Sequence, residues 1–264
     1  MMASAAATTA ASPPPRPRPE EQENDDDATA RATRRPRVLL GVSGSVAAIK
    51  APLVCERLLR FADVRVVLTN AARHFLPPVA APYGAPPPVS GDDDGPPPED
   101  DGTFGFPAAA QPVLLDAQEW RDWRRVGDPV AHIELRRWAD VLVVAPLSAN
   151  TLSKMAAGGC DNLLTCVARA WDTKGSAPVL VAPAMNTAMW ESPFTGEHLA
   201  VLKRVLGARA VAPAASKTLA CGDVGAGAMA APGEIAREVA RALVARGFAG
   251  EEVARAAAAG EAGD

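Results

Sequence analysis

The sequence predicts a single α/β domain whose parallel sheet carries helices on both faces. Three observations lead there. Short, near-continuous runs of valine, leucine and alanine recur along the chain, the pattern of strands buried on both sides. Stretches with apolar residues at helical spacing alternate with them. The length of 264 residues, 27.3 kDa, accommodates one ordinary domain with tails, because domains typically run to about 100–150 residues.

The elements follow in order. RVLLG at 37–41 reads as the first strand, and 45–60 as a helix with Ile49, Leu53, Leu58 and Leu59 facing the core. VRVVLT at 64–69 is a second strand and VLL at 113–115 a short third. Helices are expected over 116–125 and 130–138, the second opened by Asp128-Pro129, since proline suits a first helical turn. DVLVVAP at 140–146 is the clearest buried strand, and Ser148 opens the next helix. A helix over 162–171, a strand PVLVAP at 178–183, a helix over 194–206, a strand ARAVAP at 208–213 and a helix over 234–246 complete a Rossmann-like (flavodoxin-like) alternation.

Proline marks what lies outside this domain. Of 25 prolines, six fall in the first 36 residues and eleven between Pro77 and Pro112. Residues 1–35 read as a disordered tail, 77–112 as a Pro/Asp/Gly-rich insertion in the 36–246 domain, disordered or nearly so and a solvated appendage rather than a lid, and 247–264 as an Ala-rich tail with a frayed helix. The formal charge of −4 is set by these segments; without 1–35 and 77–112 the chain holds 19 acids against 22 Lys and Arg. That balance suits a small anionic ligand, and no basic cluster points to nucleic acid. No apolar run approaches the roughly 20 residues of a membrane span, which excludes an integral helical membrane protein. Cys55, Cys160, Cys166 and Cys221 include no Cys-x-x-Cys pair, so neither a metal site nor a disulfide framework is expected. A reducing, cytoplasmic location is the expectation.

Parallel sheets bind ligands at the carboxyl ends of their strands. The first strand runs into Gly41-Val-Ser-Gly44-Ser45-Val46, a glycine turn opening a helix, where backbone N–H groups favour a phosphate or simply allow a tight turn. A dinucleotide site would want an acid ending the second strand; Thr69-Asn70 stands there, which disfavours NAD and favours a mononucleotide. Ser148, Asn150 and Thr151 gather polar groups after the strand at 140–146, more than helix capping requires. Asn186 follows the strand at 178–183, while Met185 and Trp190 beside it are as compatible with core as with a cofactor box. The segment 219–229 holds three glycines and Cys221, and can close over a ligand. His132 begins a helix just before the central strand, and a surface role competes there with acid/base chemistry. His74 and His198 have no comparable context.

GVSGSVAAIK at 41–50, 128–172, PAMNTAMW at 183–190 and LACGDVGAGAMA at 219–230 together resemble the homo-oligomeric flavin-containing cysteine decarboxylases, specifically the phosphopantothenoylcysteine decarboxylases of the plant halotolerance-protein type. The resemblance spans about 36–246 apart from the insertion. It implies FMN contacts from Gly44, Ser45, Val46, Thr69, Ser148, Ala149, Asn150, Thr151 and Ala184. It implies catalytic roles for His132 and Cys221, and substrate contacts from Asn186, Lys217, Leu219, Ala220 and Met229. It further implies a homotrimer with active sites between subunits and a cysteine loop that clamps the substrate. The implied reaction converts 4′-phospho-N-pantothenoyl-L-cysteine to 4′-phosphopantetheine in coenzyme A synthesis, with FMN oxidising the cysteine moiety to a thioaldehyde so that the electrons left by CO2 have a sink. Two departures from the family pattern stand out: the insertion, and Thr218 after Lys217 where plant relatives carry a second basic residue. The competing expectations are a flavin-binding inhibitory subunit of a protein phosphatase and a peptidyl-cysteine decarboxylase.

Overall fold

Strands β1 (Arg37–Val42), β2 (Asp63–Leu68), β3 (Leu114–Leu115), β4 (Val141–Leu147), β5 (Val179–Pro183) and β6 (Arg209–Ala210) form one sheet in the order β3-β2-β1-β4-β5-β6. Every neighbouring pair is parallel. The computed structural model describes residues 32–76, 102–173, 177–211, 217–218 and 224–259, with backbone alone at 217–218 and 224–225. The chain steps outward from β1 to β3 and returns on the other side of β1 as β4, the strand order of the doubly wound Rossmann sheet. In sheets of this order ligands bind where the order reverses, here at the carboxyl ends of β1 and β4.

Alternation along the strands divides the core into two halves. Val38, Leu40, Val66, Leu68, Val141 and Val143 point to one face, covered by α1 (Ala51–Leu59) and by α9 (Pro232–Ala245). Leu39, Val67, Leu142, Val144 and Val181 point to the other, covered by α4 (Ala131–Trp138), α5 (Ala149–Ala157), α6 (Leu163–Arg169) and α8 (Pro193–Leu206). Short helices α2 (Asn70–Arg73), α3 (Asp116–Asp122) and α7 (Thr187–Glu191) follow the ends of β2, β3 and β5. A hairpin of β7 (Lys217–Thr218) and β8 (Val224–Gly225) precedes α9. Sequence chemistry sets the helix ends. Proline opens α1, α8 and α9, and Ser148, Asn162 and Asn186 cap α5, α6 and α7. Among the described residues no helix is long and apolar enough to cross a membrane.

The amino edge of the sheet is fastened by Asp140. Its carboxylate accepts from both Arg34 guanidinium nitrogens at 2.7 and 2.6 Å and from the Arg37 amide at 2.8 Å. A bidentate pair of this kind fixes orientation as well as charge.

Several sequence expectations are corrected. Ile49 is 41% exposed rather than buried, because 46–50 winds as a 3₁₀ helix. At three residues per turn, its side chains advance in a different phase from the α-helix that follows. The insertion, expected to run disordered to Pro112, is ordered at 102–112, where Phe104, Phe106 and Ala110 bury themselves against β2 and α1 in the first half-core. Gln111 clips this segment, donating to the Thr103 and Phe106 carbonyls at 3.2 Å each. The tail is no frayed helix over 247–259 either: Phe248 and Val253 are buried, and α10 (Glu251–Ala258) packs on α9.

Candidate functional site

Where β1 ends, Ser43 binds the two sides of the strand-order reversal together. It is fully buried; its Oγ donates to the Pro146 carbonyl and accepts from the Ser148 amide, both at 2.8 Å. The Ser43 amide also donates to the Pro146 carbonyl, at 3.2 Å. The Ser148 hydroxyl lies 3.2 Å from that of Ser43 and 3.3 Å from that of Thr151, and accepts from the Thr151 amide as helix cap. Three buried hydroxyls are thus joined at the carboxyl ends of β1 and β4. Ala149 and the exposed Asn150 complete the first turn of α5.

Gly44 is required beside them, because a Cβ there would come within 2.6 Å of the Ala71 Cβ. Ser45 then starts the 3₁₀ turn, its Oγ accepting from the Ala47 amide at 3.4 Å, and Val46 is 43% exposed at the crevice rim. At the end of β2, the Thr69 amide donates to the Val42 carbonyl at 3.0 Å, but its buried Oγ1 has no partner among the described residues. A buried hydroxyl left unpaired costs about 1–3 kcal/mol, so the position is built for a polar ligand atom. With a glycine turn, a helix start and no carboxylate at Thr69-Asn70, these residues fit a phosphate-bearing mononucleotide.

Beyond β5 the Ala184 amide donates to the Leu147 carbonyl at 2.9 Å, and exposed Asn186 caps α7 by accepting from the Met189 amide at 2.8 Å. Met185 and Trp190, left open by the sequence, pack in the second half-core, and Met229 is 4% exposed within the first. Gly227, at a φ of +112°, lies flat against this edge: a Cβ would meet the Met185 carbonyl at 2.5 Å, and the Met185 amide donates to the Gly227 carbonyl at 3.0 Å. The arm leaving the β7–β8 hairpin is thereby anchored at the carboxyl end of β5. Leu219, Ala220 and Cys221 lie outside the described residues, as does the Lys217 side chain.

His132 occupies the first turn of α4, which leads back to the start of β4, so the histidine stands at the same carboxyl edge of the sheet. Its Nδ1 bonds to the Glu119 carboxylate of α3. In the same cluster Cys166 of α6 donates to the Cys160 carbonyl at 3.3 Å; burial, then the Glu119 charge, pushes its thiol up to about 11. The structure therefore gathers residues from all five of the strands β1 to β5 on one edge. Among the described residues, side-chain hydrogen bonds join the Ser43–Ser148–Thr151 group, while His132 bonds to Glu119 of the preceding helix and Asn186 to the first turn of α7. Ser43 and Glu119 were not singled out by the sequence reasoning. Ser43 is the first polar residue after the apolar run Val38–Val42, a usable signal; Glu119 becomes visible only once α3 and α4 are folded together.

A mononucleotide crevice on a Rossmann-type sheet without a dinucleotide's carboxylate defines a class, and the chain belongs to the flavoprotein family, whose profile matches residues 27–244. Its relatives are more particular. It is 50% identical over 201 residues to phosphopantothenoylcysteine decarboxylase of Arabidopsis thaliana, covering 75% of this chain and 81% of that protein. With the phosphopantothenoylcysteine decarboxylase of Mus musculus it shares 47% over 199 residues, covering 75% and 82%. Among solved structures, a PPC decarboxylase mutant complexed with pantothenoylaminoethenethiol matches with a TM-score of 0.64 at 48% identity, covering 78% of this chain and 97% of that one. The FMN binding protein AtHal3 matches with 0.61 at 49% identity, covering 78% and 95%.

Proposed function

We propose that this chain is an FMN-dependent decarboxylase that converts 4′-phospho-N-pantothenoyl-L-cysteine to 4′-phosphopantetheine in coenzyme A biosynthesis, acting in the cytoplasm as a homotrimer. The observation that carries this reading is the 50% identity to a phosphopantothenoylcysteine decarboxylase over 81% of that protein's length. Bound FMN supplies a two-electron exchange with the cysteine moiety, without which CO2 would leave an unstabilised carbanion.

The Gly44, Ser45 and Val46 amides and the Ser45 hydroxyl would hold the FMN phosphate, and Thr69, Ser148, Ala149, Asn150, Thr151 and Ala184 would hold the rest of the cofactor. The orphaned Thr69 Oγ1 and the glycine cradle against Ala71 support this assignment. Asn186 holds the substrate carboxylate, because its amide is neutral, can donate, and stands exposed at the crevice edge. Lys217, Leu219 and Ala220 contribute to the clamp around the substrate, whereas Met229, expected to join them, is packed in the first half-core. His132 takes up the substrate's proton as the thiol is oxidised, and Cys221 returns one to the decarboxylated product.

The trimer is supported by three exposed apolar side chains in the segment that leads to His132. Trp120 is 80% exposed, Trp123 45% and Val126 93%, all between Glu119 and His132 in sequence. A second copy of the chain covers these side chains and completes the site. A sedimentation mass three times that of the 27.3 kDa chain is expected, and Val126→Asp should lower it.

Incubating the purified protein with the substrate should release CO2 and yield phosphopantetheine by mass. His132→Asn should retain FMN and release no CO2. Cys221→Ser should accumulate an enethiol lighter than the normal product by two hydrogens, because serine is a far weaker acid than a thiol. Normal product from Cys221→Ser would remove that residue from the chemistry. A yellow, FMN-loaded wild type that forms no product would favour the phosphatase-regulatory reading.

A further inference from the structure

Glu119, His132 and Cys166 place a carboxylate oxygen, a ring nitrogen and a sulfur within 4.8 Å of one another, outside the hydroxyl crevice. These are donor types that bind zinc, yet each already has a hydrogen-bond partner. The Cys166 thiol is protonated at neutral pH and donates to the Cys160 carbonyl, and the carboxylate is taken up by the imidazole. What remains is a carboxylate–imidazole pair whose two members come from different helices.

We propose that Glu119 is a positioning residue for His132: it fixes the ring as the Nδ1–H tautomer and leaves Nε2 as the only nitrogen able to take a proton from the substrate. This rests on the reading of His132 as the proton acceptor. A neutral imidazole carries one N–H and one lone pair, and which nitrogen holds the proton follows from what the other atoms offer it. A carboxylate at neutral pH only accepts, so the nitrogen facing it is the donor. When Nε2 binds the substrate's proton, the ring becomes an imidazolium whose positive charge lies against the Glu119 carboxylate, and no further group need change protonation. Carboxylates behind catalytic or metal-binding histidines act in this way in unrelated folds.

The surroundings show that Glu119 is held for the purpose. Its side chain is 10% exposed and that of His132 27%. Helix α3 has only seven residues, but its N-terminal end is both capped and tied to the fold: Gln118 Oε1 accepts from the Leu115 amide at 2.6 Å, and Asp116 accepts from the Leu163 amide of α6 at 2.9 Å. The Asp116 bond reaches 47 residues along the chain. It ties the helix carrying Glu119 to α6, which itself packs against α4, the helix carrying His132. The imidazole and its carboxylate thus share one supporting element.

The test uses FMN-loaded enzyme with Glu119→Gln, Glu119→Asp, His132→Asn and the Glu119→Gln/His132→Asn double variant. Glu119→Gln can donate an N–H to Nδ1 and admit the opposite tautomer. It should therefore lower kcat about 100-fold, within the range of general acid–base effects, with KM and FMN content unchanged. Glu119→Asp should recover part of the rate, since a carboxylate is restored. The double variant, like His132→Asn alone, should keep FMN and release no CO2. In the wild-type enzyme, ¹⁵N spectra of the ring, assigned by their loss in His132→Asn, should show Nδ1 protonated and Nε2 bare near neutral pH. Wild-type kcat in Glu119→Gln, or a wild-type ring protonated at Nε2, would overturn the proposal; the spectrum decides even where a variant folds poorly. Full activity in His132→Asn would instead bring down the underlying reading of the histidine and with it the catalytic role of Glu119.

Discussion

Thr69 shows how a single atom reports on a cofactor. Its hydroxyl is buried with no partner among the described residues, while the backbone around it is satisfied. Thr69→Val keeps the shape and removes the hydroxyl, so stability and binding should move in opposite directions. The apoprotein should be as stable as wild type or more so, and FMN should bind about 3–10-fold more weakly, the value of one ordinary hydrogen bond. Titration of apoprotein with FMN checks this; an unchanged affinity would place the hydroxyl away from the cofactor. Cys55, in the core of α1, offers a second single-residue test. Burial, with the Glu56 charge second, pushes its thiol from 9.0 up to about 12. Above the lower value the unfolded chain gives up the proton and the folded chain keeps it, so its contribution to stability is intact below about pH 9 and is lost as pH rises toward 12. Relative to Cys55→Ala, the wild type should lose about 2 kcal/mol of urea-unfolding free energy between about pH 9 and 11. A constant difference would show that the thiol ionises within the fold.

At the scale of elements, the segment 102–112 has the most to teach. Composition averages Phe104 and Phe106 into a background of proline, glycine and aspartate, yet those two rings are 7% and 4% exposed. Arg73 lies over the Phe104 ring at 5.5 Å, and Phe104 itself takes a φ of +51°, a left-handed conformation held by burial. Phe106→Ala should therefore cost about 3–5 kcal/mol in chemical denaturation, as a buried aromatic does; a loss below about 1 kcal/mol would make the segment an appendage after all. The same reasoning explains what sequence can and cannot disclose. Strands β1, β2, β4 and β5 are legible because their runs are mostly apolar and β-branched, and helix starts because Ser148, Asn162 and the prolines leave chemical marks. The 3₁₀ winding at 46–50 leaves none, which is why Ile49 is misread. Of the candidate site, residues directly following strands could be found by position; Glu119 could not, since nothing local distinguishes it from its neighbour Asp122.

For the whole molecule, the strand order separates two edges with different chemistry. Hydroxyls, Glu119, His132 and Asn186 gather at the carboxyl edge, whereas the amino edge is closed by ion pairs and backbone bonds around Asp140. Both ends of the described domain meet at the second of these. Arg35 pairs with Glu252 at 3.3 Å, and the Arg34 guanidinium lies 5.2 Å from the centre of the Phe248 ring. Covalent continuity is thus arbitrary at that corner. A circular permutant that joins the two ends through a short glycine–serine bridge, and opens new termini between β2 and β3 within residues 77–101, keeps every strand neighbour intact. It should fold, turn yellow and retain activity. A colourless permutant would mean that the old chain ends do more for the fold than their contacts suggest; a yellow one would make the clasp at Asp140 a seam at which the gene can be closed on itself and begun elsewhere.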